Sequence, residues 1–157
     1  MLLSEVLTNN NILTCKSTNR WDLIEEVIEK AVENKEIIPE DKETIKDILT
    51  EREKSMSTGI GNEVAIPHCI SAKINKIIAL MAVNDKGIEF DAIDNKKVKI
   101  AIFLLVPQNK LSQYIKILAN IAKIMNDAEL RTRILRLKKV ASILKIIKEY
   151  EAQKNKS

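Results

Sequence analysis

Two stretches restrict this chain more than any other feature. Lys76–Val83 (KIIALMAV) and Val98–Val106 (VKIAIFLLV) are nearly unbroken apolar runs, rich in β-branched residues. A strand with one wet face would alternate polar and apolar side chains. These runs do not alternate, which suits strands covered on both faces. Segments at helical spacing lie on either side of this block and supply the covering layers. The economical solution is an α/β architecture: a mixed, mostly buried β-sheet flanked by helices on both faces.

The flanking segments can be placed one by one. Leu2–Leu7 suits a short helix and Ile12–Cys15 a short strand. Asn19 is an N-cap candidate, with Asp22 in the first turn of a helix running to about Asn34. Ile24, Val27, Ile28 and Ala31 form its apolar stripe. Pro39 suits a first helical position, with Glu40 and Asp41 favourable at the positive end. Ile45, Ile48 and Leu49 carry the next stripe. Short strands are expected around Gly59 and at Val64–Ile66, and the alternation of Ile88–Ile93 (IEFDAI) reads as an edge or connecting strand. Leu111, Tyr114, Ile115, Leu118, Ile121, Ala122 and Met125 keep helical spacing, and two more helices follow after Asp127 and around Val140–Ile147.

The 157 residues suit one domain with a core of Ile, Leu, Val and Ala, since aromatic residues make up only 3%. Cys15 and Cys69 show no C-x-x-C spacing and read as free thiols in a reducing compartment. The start MLLSEVLTNN lacks a basic segment and a long apolar stretch, so no signal peptide is expected. The longest uncharged apolar runs, Ile77–Val83 and Ile100–Val106, fall far short of the roughly 20 residues that span a bilayer. A cytoplasmic protein without membrane insertion follows. The net charge of +4 is mild. The basic residues Arg131, Arg133, Arg136, Lys138 and Lys139 interleave with apolar ones, and aromatic platforms for bases are missing, so a nucleic-acid partner is not expected.

The chemistry-bearing segment is STGIGNEVAIPH, from Ser57 to His68. It holds two of the three glycines, Gly59 and Gly61, and ends on the one histidine. Glycines so concentrated mark backbone needing positive φ or a close approach. His68 is a candidate nucleophile behind a candidate anion cradle; a tight hairpin ending in an ordinary, partly buried histidine fits equally well. Arg52 stands seven residues after Ile45, so it projects from the inward face of its helix. It either pairs with a carboxylate, awaits an anion, or snorkels to the surface. The glycine turn is not a P-loop, because Gly61 is followed by Asn-Glu-Val, and it lacks the third glycine of a dinucleotide fingerprint. One histidine and two distant cysteines do not make a zinc site. Cys69 and His68 are neighbours in extended chain and point to opposite faces, which rules out a catalytic dyad.

Arg52–Glu53, a short spacer and then STGIGNEVAIPH resemble the enzyme IIA domain of the fructose–mannitol family. These domains belong to the bacterial phosphoenolpyruvate-dependent sugar phosphotransferase system and include a nitrogen-regulatory relative. The resemblance extends over nearly the whole chain. Asn19–Ala31 looks like the first long helix, Val98–Pro107 like the core strand ending in Val-Pro, and Tyr114–Met125 like the helix after it. It implies one type-2 IIA domain over residues 1–157, with the mannitol-type IIA fold. It also implies a phosphocarrier needing no metal or organic cofactor. His68 would take a phosphoryl group from HPr or an HPr-like carrier. It would pass the group to a IIB domain of a sugar permease, or hold it as a signal that gates binding to a regulatory protein.

The residues suit that chemistry. A neutral imidazole is a competent nucleophile near pH 7. Arg52 offers a planar fork to phosphate oxygens. Backbone N–H groups of Gly59, Ile60, Gly61 and Asn62 could add donors in a nest-like turn, and Thr58 a hydroxyl. Pro67 restricts Ile66 to extended geometry. Two departures stand out. Glu63 occupies a position where the family has glycine; near the phosphate it would repel unless it points away or pairs with a lysine. The family's second active-site histidine is missing, and Tyr114 stands at the matching position. Tyr114 either orients and covers His68 or packs in the core.

Overall fold

The computed structural model describes residues 1–137 and 139–155, so Lys138 of the basic tail lies outside the described residues. The chain runs α1 (Leu3–Val6), β1 (Ile12–Thr14), α2 (Arg20–Glu33), α3 (Lys42–Ser55), β2 (Gly59–Gly61), β3 (Val64–Ala65), β4 (His68–Ser71), β5 (Ile78–Ile88), β6 (Val98–Pro107), α4 (Leu111–Met125), α5 (Ala128–Arg136) and α6 (Val140–Asn155). The two apolar runs are the long central strands β5 and β6, paired antiparallel. The sheet order is β1-β5-β6-β3-β2, with β4 also on β6. β1 runs parallel to β5, β3 and β4 run parallel to β6, and β2 returns antiparallel on β3.

β3 and β4 lie end to end along the same side of β6. Val64 stands opposite Ile100, and His68 stands opposite Leu104. Pro67 sits between them. It has no N–H to give the ladder, but its carbonyl still accepts from Leu104 N at 2.9 Å. The interruption therefore separates two short strands without losing the register that carries His68.

Alternation along β6 divides the core in two. Ile100, Ile102, Leu104 and Val106 face α1, α4, α5 and α6. Ala101, Phe103 and Leu105 face α2 and α3. Both faces are covered, as the unbroken apolar runs require. Each of these Ile, Leu, Val and Phe side chains, fully buried, stabilises the fold by about 1.5–3 kcal/mol relative to leaving it in water.

The caps fall where the sequence puts them. Asn19 accepts from Asp22 N, and Asp127 accepts from Glu129 N and Leu130 N. Pro39 opens a 3-10 turn, Pro39–Asp41, which leads into α3 instead of starting it. Two further readings change. Ile88–Ile93 is not a separate strand. β5 continues to Ile88 through Gly87 at φ +91°, and Glu89 makes only a single bridge to Asn19. The chain then turns at Asp91, φ +49°, leaving Phe90 buried and Ile93 83% exposed. Along α4, the buried face is Ile117, Ile121, Ile124 and Met125. Leu111 and Ile115 keep the helical spacing but face solvent. Among the described residues, no helix is long and apolar enough to cross a membrane.

Candidate functional site

α3 delivers two consecutive residues to opposite duties. Ile45, Leu49 and Glu53 follow one another at four-residue spacing and are its buried residues. Arg52, one step round the helix, lies half-buried at the rim. From there its Nε donates to His68 Nε2 at 3.1 Å, and its Nη1 donates to Met56 O at 2.8 Å. The inward arginine is thus neither a carboxylate partner nor a free snorkelling stem. It is bound to the imidazole.

His68 begins β4, half-buried. Its Nδ1 lies 3.0 Å from Ile66 O. A carbonyl can only accept, so Nδ1 carries the proton and Nε2 presents its lone pair. The Arg52 bond to Nε2 requires the same tautomer. Burial lowers the His68 pKa below the ordinary imidazole value, and the Arg52 charge adds to this. The Ile66 carbonyl and Glu53 act in the opposite direction. The ring is therefore held neutral near pH 7.

Tyr114, in the first turn of α4, sets its ring 5.5 Å from that of His68 at an interplanar angle of 43°. It also packs against the core beneath α4, as the packing reading expects. Desolvation raises the phenol's pKa, against a lowering by Arg52, so it remains a hydrogen-bond donor near neutrality.

Glu53 enters the sequence reading only as half of the Arg52–Glu53 pair, with no role of its own, although its place on the Ile45–Leu49 stripe is a visible signal. It is 1% exposed. Its carboxylate accepts from Thr58 N at 2.9 Å, from Thr58 Oγ1 at 2.5 Å and from Arg20 Nη1 at 3.2 Å. Arg20 Nη1 also donates to Phe90 O at 2.9 Å, and the Ser57 hydroxyl donates to the same carbonyl at 2.5 Å. The Thr58 hydroxyl expected on a phosphate is thus committed to Glu53.

The glycine turn is not gathered around His68. Gly61, Asn62 and Glu63 have φ of +94°, +57° and +66°, a tight reversal. The turn lies beyond Val64, which is four residues before His68 on the same edge, or about 13 Å at 3.3 Å per strand residue. Asn62 Nδ2 donates to Asn126 Oδ1 at 3.3 Å, at the far end of α4 from Tyr114. Ile60, Gly61 and Asn62 therefore do not cradle an anion on this imidazole. Gly59 answers to a different need: a Cβ there would lie 2.6 Å from Ala92 Cβ, so it permits close packing of the chain on itself. Glu63 points away from the site and pairs with Lys99 Nζ at 3.1 Å.

Exposed apolar side chains border the imidazole. Met56 follows α3, Ile70 follows His68 on β4, and Leu111 and Ile115 flank Tyr114 on α4. Both thiols, Cys15 and Cys69, are buried, with pKa values pushed up to about 11 and about 12 mainly by desolvation. Among the described residues, no group of three His, Cys, Asp or Glu side chains could hold a metal ion.

Comparison with known proteins matches residues 5–150 to the family described as phosphoenolpyruvate-dependent sugar phosphotransferase system, EIIA 2. A nitrogen regulatory protein of Bradyrhizobium diazoefficiens is 28% identical over 135 residues, covering 85% of this chain and 86% of that protein. The crystal structure of nitrogen regulatory protein IIA-Ntr from Neisseria meningitidis superposes with a TM-score of 0.84 at 25% identity, covering 92% of this chain and 98% of the other. IIA mannitol from Escherichia coli superposes with a TM-score of 0.75, covering 90% and 98%. At 20% identity that likeness is one of fold.

Proposed function

The chain belongs to the EIIA 2 family of the phosphoenolpyruvate-dependent sugar phosphotransferase system, and from that premise we propose that it is a phosphocarrier over residues 1–157, phosphorylated on His68 Nε2. The observation that carries this reading is the pair of hydrogen bonds on one ring: Nδ1 to Ile66 O at 3.0 Å and Nε2 to Arg52 Nε at 3.1 Å. They select the tautomer in which Nε2 is the nucleophile and put a guanidinium against the reacting atom.

In the transfer, the Nε2 lone pair forms a bond to phosphorus as the nitrogen–phosphorus bond of the donor phosphohistidine breaks. The donor nitrogen regains its lone pair. Nδ1 keeps its proton, so the phosphorylated ring carries positive charge, which the Ile66 carbonyl stabilises. Arg52 releases Nε2 and turns its fork to the phosphoryl oxygens, since the reaction asks the protein chiefly for positioning and charge stabilisation. The Tyr114 phenol stands beside the ring as one more donor. The exposed apolar side chains around it suit docking of a protein carrier of the HPr type, and then of a IIB domain.

Incubation with phosphoenolpyruvate, enzyme I and HPr should place acid-labile phosphate on the protein. His68→Ala should abolish it; equal labelling of this variant ends the proposal.

A regulatory reading is favoured by two observations: a relative named nitrogen regulatory protein, and Tyr114 in place of a second histidine. In it, the charge on phosphorylated His68 gates binding to a regulatory protein. Affinity capture with the phosphorylated and unphosphorylated forms distinguishes this from onward transfer. Identical partners in both states exclude gating.

A further inference from the structure

Glu53 is an expensive residue for the fold to keep. It stands in the last turn of α3, where the helix dipole disfavours a carboxylate. It is buried, where a carboxylate loses its water. Arg20 and Thr58 compensate it.

What it holds explains the retention. Fixing the Thr58 amide and hydroxyl fixes the Thr58 carbonyl, which accepts from Ile66 N at 3.1 Å. The opposite side of that Ile66 residue carries the carbonyl bound by His68 Nδ1. The same segment begins at Met56, whose carbonyl receives Arg52 Nη1. Both hydrogen bonds that set the imidazole tautomer therefore rest on residues 56–58, and Glu53 grips that segment twice.

Resting on the phosphocarrier reading, we infer that Glu53 is the positioning residue of phosphoryl acceptance: through Thr58 it aligns Ile66 O and Met56 O, and so keeps His68 in the Nδ1–H tautomer with Arg52 in reach. Glu53 touches neither the ring nor the incoming phosphorus and acts only through others.

Glu53→Gln keeps the shape but removes the negative charge that Arg20 pairs with, and its amide fits only if the Thr58 hydroxyl turns from donor to acceptor, so the grip on Thr58 weakens. Because His68 is the one histidine, its tautomer is read directly from two-bond proton–nitrogen-15 correlations. The unaltered protein should show the Nδ1–H form alone, and Glu53→Gln a mixture. Labelling by phosphorylated HPr should slow about thirtyfold in kcat, in keeping with the on the order of hundredfold cost of a 1 Å misplacement, with KM for the carrier little changed. Thr58→Val removes only the hydroxyl contact and should give a smaller effect of the same kind. It serves as the deciding variant if Glu53→Gln does not fold. A folded variant with the pure Nδ1–H tautomer overturns the inference, whatever its rate. If the unaltered protein takes no phosphate from HPr, the phosphocarrier reading falls, while the tautomer spectrum still decides the role of Glu53.

Discussion

Glu53 and Glu151 are the two buried glutamates among the described residues, 1% and 2% exposed, and each sits on a helix. Each accepts three hydrogen bonds. Glu151, on α6, takes Leu3 N at 2.9 Å, Ser4 N at 3.2 Å and Asn120 Nδ2 at 2.8 Å. It satisfies the first donors of α1 and ties that helix to α4, with no bond to His68 or Arg52. Glu53 takes two of its bonds from a loop residue that in turn supports His68 and Arg52. Both are buried carboxylates held by hydrogen bonds, although Glu53 also pairs with the Arg20 cation. A buried, fully bonded carboxylate therefore says nothing about function until the identity of what it holds is known.

The contrast can be tested from both ends. Glu151→Ala strands three donors, so the protein should lose about 3 kcal/mol in denaturant unfolding. The His68 tautomer and the labelling rate, measured below the transition, should stay as they were. A shifted tautomer would merge the two regions into one network. Arg52→Ala should do the reverse: labelling slows about a hundredfold, as for loss of one strong oxyanion donor, with little change in unfolding midpoint. Unchanged kinetics would remove Arg52 from the mechanism.

Acidity sharpens the picture further. The folded pKa of His68 is depressed, so the stability gained from the neutral ring is complete above about pH 6.5 and is lost as pH falls through the folded value. Labelling should hold a plateau from about pH 8 to about pH 6.5 and decline only below it. In Arg52→Ala the acid limb should move to higher pH, because a lowering charge is gone; a limb that moves lower contradicts the assignment. The smallest effect belongs to the hairpin tip. Glu63 holds φ +66° and an exposed pair with Lys99. Glu63→Gly should stabilise the protein by about 1 kcal/mol, as the strain relieved slightly exceeds the ion pair lost, and should leave labelling unchanged.

The architecture was legible because the apolar runs of β5 and β6 lack alternation, so no sheet with one face in water could host them. The helix starts were legible because Asn19 and Asp127 are capping residues with local, short-range geometry. The motif names Arg52 and His68 together, but the seven-residue spacing from Ile45 points Arg52 inward, where the structure puts Glu53 instead. The anion cradle was misplaced because chain proximity is not spatial proximity: an antiparallel return of three residues carries Gly61–Glu63 away from the imidazole instead of around it. The helical spacing of Leu111 and Ile115 holds, yet both face solvent, because periodicity gives a helix its phase but does not say how wide a stripe the neighbouring layer covers. Glu53 was passed over because a charged side chain on an apolar stripe reads as an exception until its partner Arg20, thirty-three residues earlier in the chain, is seen beside it.

His68 points to the α4 face of the sheet, while the guanidinium that meets it comes from α3 on the other face. The meeting takes place around the sheet's border. The gap between the two groups thus depends on how α3 seats on the sheet as well as on the local hydrogen bonds at Met56 and Ile66. A bulkier or smaller side chain beneath α3, even far from the border, changes the angle at which fork and ring meet.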